Sequence, residues 1–274
     1  MEFNLENNVV LLKTNRVCLY DADFIKYIIT SRKSKAINNG QSATIEELCE
    51  EWYDVNIRNK IADYVIFCFS GKSVNTFRSY CAVSKEYKGN RKATDEHYPG
   101  EFDDQYKVVL WFQSKTMTLL FNDLEADDLV SALQDDKNTY IVSNDKDIAQ
   151  VPGWHYSFST NTIYEIPIEQ AVYNLAYQLI KGDTTDNIPG IKGFGDVKVK
   201  KYLEQFSTRP KRLLDGVIYL YQLEFGQIKG IDAFVESWNL IKLRLDRGEY
   251  FKSKYIKMFD LKEYLINRIK TEVK

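Results

Sequence analysis

Soft metal ligands are scarce in this chain, which has two histidines and four cysteines. Cys18, Cys49, Cys68 and Cys81 form no CxxC pair and no His-rich segment accompanies them, which excludes the usual zinc layouts. Cys18 and Cys68 lie inside apolar, strand-like runs, where cysteine acts as a small buried hydrophobe. No apolar run reaches membrane-spanning length, and the opening MEFNLENNVV lacks the charged-then-apolar layout of a signal peptide. A soluble protein of a reducing cytoplasm, with no membrane partner, is therefore expected. Clean repeats, low-complexity tracts and Ser- or Gly-rich linkers are absent. So are a Walker A loop, a GxGxxG turn after the first strand and a GxSxG nucleophile elbow. The formal net charge of −2 argues against a generally basic, DNA-coating protein, although an acidic metal site can offset basic patches elsewhere.

What is present is ordinary globular material. The 274 residues, 44% hydrophobic and 28% charged, can bury a full core in one large domain or one and a half. Short apolar runs at 16–20, 64–69, 117–121 and 139–142 each stop at polar turn residues, the pattern of buried parallel strands. Ile45, Leu48 and Trp52 before the second run, and Leu124, Leu129 and Leu133 before the fourth, have helical spacing. Strand alternating with helix predicts an α/β fold with a mostly parallel central sheet flanked by helices.

In such sheets the functional crevice lies beyond the carboxyl ends of the strands. Three of the four runs end in acids there, so Asp21, Glu125, Asp127, Asp128, Asp145 and Asp147 should converge on one edge. Each alone reads as a helix N-cap, but capping does not predict the repetition at successive strand ends. Six crowded carboxylates repel unless cations offset them, which points to divalent metal. Glu125 and Asp128 are spaced to share a helix face. Asp145 and Asp147 bracket Lys146 and would share one side of an extended segment.

A further acid pair opens the segment KGDTTDNIPGIKGFGDVKVKK, residues 181–201. Asp183 and Asp186 are again three apart. The turn after them carries Gly190, Gly193 and Gly195 and leads to Lys198, Lys200 and Lys201. Hard oxygen ligands suit Mg²⁺, while free backbone N–H groups and a helix N-terminus suit phosphate. Metal and phosphate together indicate phosphodiester chemistry. The long polar stretch 70–107 interleaves Lys72, Arg78, Lys85, Tyr87, Lys88, Arg91 and Lys92, a composition suited to single-stranded nucleic acid. From about residue 205 the chain reads as amphipathic helix, with packing as its role.

The segments YDAD (20–23), EYKGNRKA (86–93), LEADDLVSAL (124–133), IVSNDKDIAQ (141–150) and IKGDTTDNIPGIKGFGDVKVKKYL (180–203) together resemble the 5′ nucleases of the flap-endonuclease and 5′–3′ exonuclease superfamily. The compact bacteriophage members are the nearest in pattern, and the resemblance covers roughly residues 16 to 206. It implies a PIN-like catalytic domain at 1–178 that includes a helical arch at 70–107. A helix–three-turn–helix DNA-binding element and C-terminal helical region would follow at 179–274. It implies two Mg²⁺ or Mn²⁺ ions, the first held by Asp21, Glu125, Asp127 and Asp128, the second by Asp145, Asp147, Asp183 and Asp186.

The resemblance gives Lys88 and Arg91 a catalytic role at the scissile phosphate and Tyr87 a base to stack on. It makes Gly190, Gly193 and Gly195, with K⁺, a grip on the duplex backbone. Lys72, Arg78, Lys198, Lys200 and Lys201 complete the expected DNA contacts. Water activated by two cations about 4 Å apart would hydrolyse the phosphodiester. The implied substrates are DNA with 5′ flaps or ends and RNA–DNA hybrids, cut by a monomer alongside replication proteins in the host bacterial cytoplasm.

One departure stands out. The family carries an aspartate just after the second strand, where this chain has Phe69, Ser70 and Gly71. Asp63 lies at the wrong end of that strand, and Asp23 or Asp123 is left to compensate. A weakened homologue that binds branched DNA is one alternative, and a toxin-like PIN ribonuclease another.

Overall fold

Each apolar run forms a strand. In the computed structural model β1 spans Val17–Asp21, β2 Val65–Ser70, β3 Met117–Phe121 and β4 Thr139–Val142. The structure describes residues 16–58, 64–71, 76–91, 96–122, 124–135, 138–157, 162–207 and 212–243. Two further strands, β5 (Gly153–Ser157) and β6 (Thr162–Ile166), extend the sheet to six in the order β3-β2-β1-β4-β5-β6. Neither is signalled by the amino-acid pattern, because GWHYS and TIYEI lack a continuous apolar run.

β1 pairs in parallel with β2 and with β4, β2 with β3, and β4 with β5. The chain therefore steps outward from β1 to β3 and then returns across β1 to β4. That reversal is a topological switch point, and it opens a crevice beyond the carboxyl ends of β1 and β4. Asp21 ends β1 and Asp145 follows β4, so the strand order delivers both acids to that crevice.

Two compact units divide the chain. The first comprises described residues within 1–73, 93–148 and 153–165. Its helices are α1 (Asp23–Asn38), α2 (Ile45–Tyr53), α4 (Glu101–Lys115) and α5 (Ala126–Leu133); α3 (Phe77–Cys81) belongs to the other unit. α2 starts where Thr44 and Glu47 cap each other reciprocally, through bonds of 3.0 and 3.2 Å. Tyr20, Trp52, Phe67 and Phe112 pack edge-on and tilted, with the Phe67 and Phe112 centroids 4.7 Å apart. Each such buried ring contributes roughly 1.5–3 kcal/mol by leaving water. This aromatic layer fixes the sheet's face and hence the strand ends.

The second unit comprises described residues within 74–92, 149–152 and 166–274. It holds α3, α6 (Ile168–Lys181), the short strands β7 (Gly182–Asp183) and β8 (Ile188–Pro189), α7 (Asp196–Glu204), α8 (Leu213–Phe225) and α9 (Gln227–Ile241). The expected boundary at 178/179 is thus displaced to 165/166. Leu175, Ala176, Leu179 and Ile180 of α6 are buried in this unit's own core, so α6 goes with it. Residues 76–91, expected within the catalytic domain, also pack here. Arg78 is 1% exposed and its Nε donates to the Leu240 carbonyl at 2.9 Å. Val83 and Ser84 N–H groups donate to Glu236 at 2.7 and 2.6 Å. The helices expected beyond residue 205 are present as α8 and α9. Among the described residues, no helix is long and apolar enough to cross a membrane.

β7 and β8 cross so closely that only glycine fits. A Cβ on Gly190 would lie 2.1 Å from the Lys181 carbonyl oxygen, and one on Gly182 would lie 2.3 Å from the Gly190 nitrogen. Both obstructions are backbone, which cannot swing aside. Gly190→Ala is expected to destabilise the protein by about 2–4 kcal/mol, measured by urea unfolding of the full chain.

Candidate metal centre

The acids at the strand ends are held by hydroxyls and backbone N–H groups. Glu125 precedes α5, and Ala126, Asp127 and Asp128 form its first turn, where orphan N–H groups and the helix dipole favour negative charge. Asp128 N–H donates to Asp127 at 2.7 Å, and Glu125 N–H reaches Asp128 at 3.4 Å. One carboxylate oxygen from each of Glu125, Asp127 and Asp128 lies within 4.8 Å of the others. Asp128 is fully buried. Asp127 therefore turns in with its neighbours, although helical spacing alone would have sent it elsewhere.

Asp21 ends β1, two strands over from β3. Ser143 donates to its carboxylate at 2.9 Å and accepts the Asp145 N–H at 3.0 Å. Burial, reinforced by the charge of Asp23, pushes the Asp21 carboxyl up to about 7. The expectation that Asp145 and Asp147 share a side of an extended segment does not hold. Residues Lys146–Gln150 form a 3₁₀ turn, and Asp145 caps it by accepting the Asp147 N–H at 2.9 Å. Asp145 is exposed and Asp147 half-buried. Three carboxylate oxygens converging at a buried strand edge are hard donors of the kind Mg²⁺ or Mn²⁺ takes, so the donor set fits a divalent cation.

Asp183 and Asp186 lie in the second unit, in β7 and the turn after it rather than on a helix face. Asp183 accepts the Thr185 N–H at 2.8 Å. Asp186 accepts from the Tyr87 hydroxyl at 2.9 Å and pairs with Arg91, with the Lys88 ammonium 3.8 Å away. Backbone bonds join the two segments as well: Lys88 N–H to the Asp186 carbonyl at 2.9 Å, and Asn187 Nδ2 to the Glu86 carbonyl at 2.9 Å. Tyr87, Lys88 and Arg91 are thus brought to one predicted metal ligand, a link that nothing in the sequence announces.

The remaining expected nucleic-acid contacts divide. Lys198, Lys200 and Lys201 are exposed on α7, whose N-cap is Gly195, with Lys198 Nζ 4.0 Å above the Phe194 ring. Gly193 takes the left-handed conformation that the turn requires, with φ +75°. Arg78 is corrected from a DNA contact to a packing residue, because its guanidinium is buried against α9. Lys72 and Asp123 lie outside the described residues.

Ser70 is not among the expected ligands, and Asp23 is expected only as a stand-in for the missing aspartate. Ser70 Oγ donates to Asp23 and accepts the Ala126 N–H at 2.9 Å, so the place after β2 holds a hydroxyl in contact with a carboxylate from α1.

Residues 27–174 match the family described as 5′–3′ exonuclease, N-terminal resolvase-like domain. The 5′–3′ exonuclease of Buchnera aphidicola (subspecies Schizaphis graminum) is 27% identical over 216 residues, covering 70% of this chain and 73% of the relative. A DNA polymerase I of Caldicellulosiruptor bescii is 25% identical over 166 residues, but the match spans only 19% of that longer protein. Among solved structures, the zinc-bound 5′-exonuclease of phage T5 shares the fold, with a TM-score of 0.51 at 16% identity, covering 94% of this chain and 100% of that one.

A buried acid with a raised proton affinity leaves a signature in stability. Asp21 binds a proton more tightly folded than unfolded, so its contribution to stability falls as pH rises from about 4 to about 7. In chelator, Asp21→Asn is expected to be near neutral at pH 4 and to stabilise by up to about 4 kcal/mol at pH 8. Thermal melts across that range check it, and saturating Mn²⁺ should reverse the sign.

Proposed function

Because this chain belongs to the 5′–3′ exonuclease family of metal-dependent phosphodiesterases, we propose that it is a structure-specific 5′ nuclease acting on DNA with 5′ flaps or free 5′ ends. RNA primers in RNA–DNA hybrids are within the same substrate class, and phage DNA replication, in a host cytoplasm alongside replication proteins, is the setting. The observation that carries the reading is the Glu125–Asp127–Asp128 trio at the carboxyl edge of the parallel sheet.

In this reading Asp21 and the trio hold one divalent cation, and Asp145, Asp147, Asp183 and Asp186 serve a second. Mg²⁺ or Mn²⁺ held there activates water and offsets charge on the phosphate. Lys88 and Arg91 bring positive charge to the scissile phosphate, and Tyr87 offers a ring for a terminal base. Lys198, Lys200 and Lys201, with the Gly190–Gly195 turn and a K⁺ ion, track the duplex backbone as a helix–three-turn–helix. Residues 76–91 act as the base of an arch through which a 5′ strand passes, and the protein works as a monomer.

A second reading has one specific observation in its favour. Ser70 stands where the family has an acid, and Lys26 sits 2.7 Å from Asp23, which lowers the negative charge at that edge. A protein with a weakened metal site would act chiefly as a binder of branched DNA.

Cleavage of a 5′-labelled flap duplex separates the two. With Mg²⁺, the nuclease cuts near the junction, while Asp128→Asn, Asp145→Ala and Asp183→Ala each lose at least about 100-fold in rate and still bind the flap. Binding without cutting by the unaltered protein, in Mg²⁺ and in Mn²⁺, would establish the binder instead.

A further inference from the structure

Two serines occupy matching places in the sheet. Ser70 ends β2 and Ser143 follows β4, the two strands that flank β1. Each hydroxyl donates to a carboxylate at or just beyond the end of β1, Ser70 to Asp23 at the start of α1 and Ser143 to Asp21. Each also accepts a backbone N–H from the next acidic loop, Ala126 at 2.9 Å and Asp145 at 3.0 Å.

A hydroxyl carries one proton, so a serine that accepts an N–H and donates to a carboxylate has its direction fixed. At Ser70 the anchoring is redundant. Its own N–H donates to Asp23 Oδ1 at 3.0 Å, and Lys26 Nζ reaches the same oxygen at 2.7 Å. Asp23 is thus committed to Ser70 and Lys26 rather than offered as a ligand. Ala126 lies between Glu125 and Asp127, and its N–H is one of the orphan donors of the α5 N-terminus. That donor is satisfied from β2, far away in sequence, which ties the start of α5 to the sheet.

We infer that Ser70 is a positioning residue for the Glu125–Asp127–Asp128 trio, its hydroxyl fixing the first turn of α5 against Asp23. The inference rests on the trio being the metal site of the proposed nuclease. Carboxylates around a cation must be held within about 0.5 Å to bind well, and losing a supporting partner typically costs 10–100-fold in metal affinity.

The test is Mn²⁺ binding to the full chain without DNA, followed by electron paramagnetic resonance, alongside thermal melts in chelator and flap cleavage against Mn²⁺ concentration. Ser70→Ala should weaken Mn²⁺ binding about 10–100-fold and raise the half-saturating Mn²⁺ for cleavage in proportion. Ser70→Thr, which keeps the hydroxyl, should bind within about threefold of the unaltered protein. A Ser70→Ala protein that melts earlier but binds Mn²⁺ unchanged overturns the inference, because the hydroxyl is then only structural. Should Ser70→Ala fail to fold, Ser70→Cys, which nearly keeps the volume with a much weaker donor and acceptor, carries the same test: weaker Mn²⁺ binding supports the inference and unchanged binding overturns it. If the unaltered protein binds Mn²⁺ but cuts no flap, the nuclease reading fails while the Ser70 comparison still stands. If it binds no Mn²⁺, both fall.

Discussion

Like charges packed at the edge of a parallel sheet are the constraint on which the rest of the first unit depends. Glu125, Asp127 and Asp128 offer oxygens within 4.8 Å of one another, and Asp128 is fully buried. Such a group must be offset by a cation, by protons or by fixed dipoles. Asp21, with its carboxyl pushed up to about 7 by burial, illustrates the proton route. The dipole route is the first turn of α5 for the trio, and the Ser70 and Ser143 hydroxyls for Asp23 and Asp21 beside β1. Parallel topology makes this possible, because right-handed crossovers put strand ends and following helix starts on the same edge.

That constraint also explains what could be read from the chain alone. Apolar runs that stop abruptly at acids mark both the strands and the site, since one physical event, the end of a buried strand, produces both signals. β5 and β6 escaped because their burial comes from neighbours rather than from their own hydrophobicity; the β5 residue His155 is 1% exposed. Side-chain direction was less legible than position. Asp127 joins the trio because it lies in a first helical turn, and Asp145 caps a 3₁₀ turn instead of lining an extended strand.

Composition misled most where a charge is buried. Arg78 sits among Lys, Arg and Tyr residues that suit a nucleic acid, yet it lies inside the second unit with its Nε on the Leu240 carbonyl. Arginine can do this because its planar fork finds a carbonyl while its stem packs, and Arg78 also lies 4.7 Å from the Phe77 ring centroid. A one-dimensional reading has no means of separating such an arginine from its exposed neighbours. Likewise, Ser70 reads as a missing acid, although in space it is the hydroxyl that joins Asp23 to α5.

The second unit shows how basic residues can be held in place and still remain available. Arg91 is half exposed and pairs with Asp186; an ion pair so open to solvent is worth only about 0.2–1 kcal/mol. The segment itself is fixed by other bonds: Lys88 N–H to the Asp186 carbonyl, Asn187 to the Glu86 carbonyl, and the Val83 and Ser84 N–H groups to the Glu236 carboxylate. Lys88 and Asn187 both take left-handed backbone conformations, with φ of 58° and 60°, to make that seam. Backbone placement and side-chain engagement are therefore separable here. A phosphate or a divalent ion that competes for Arg91 or Asp186 displaces a weak pair without undoing the bonds that position the segment.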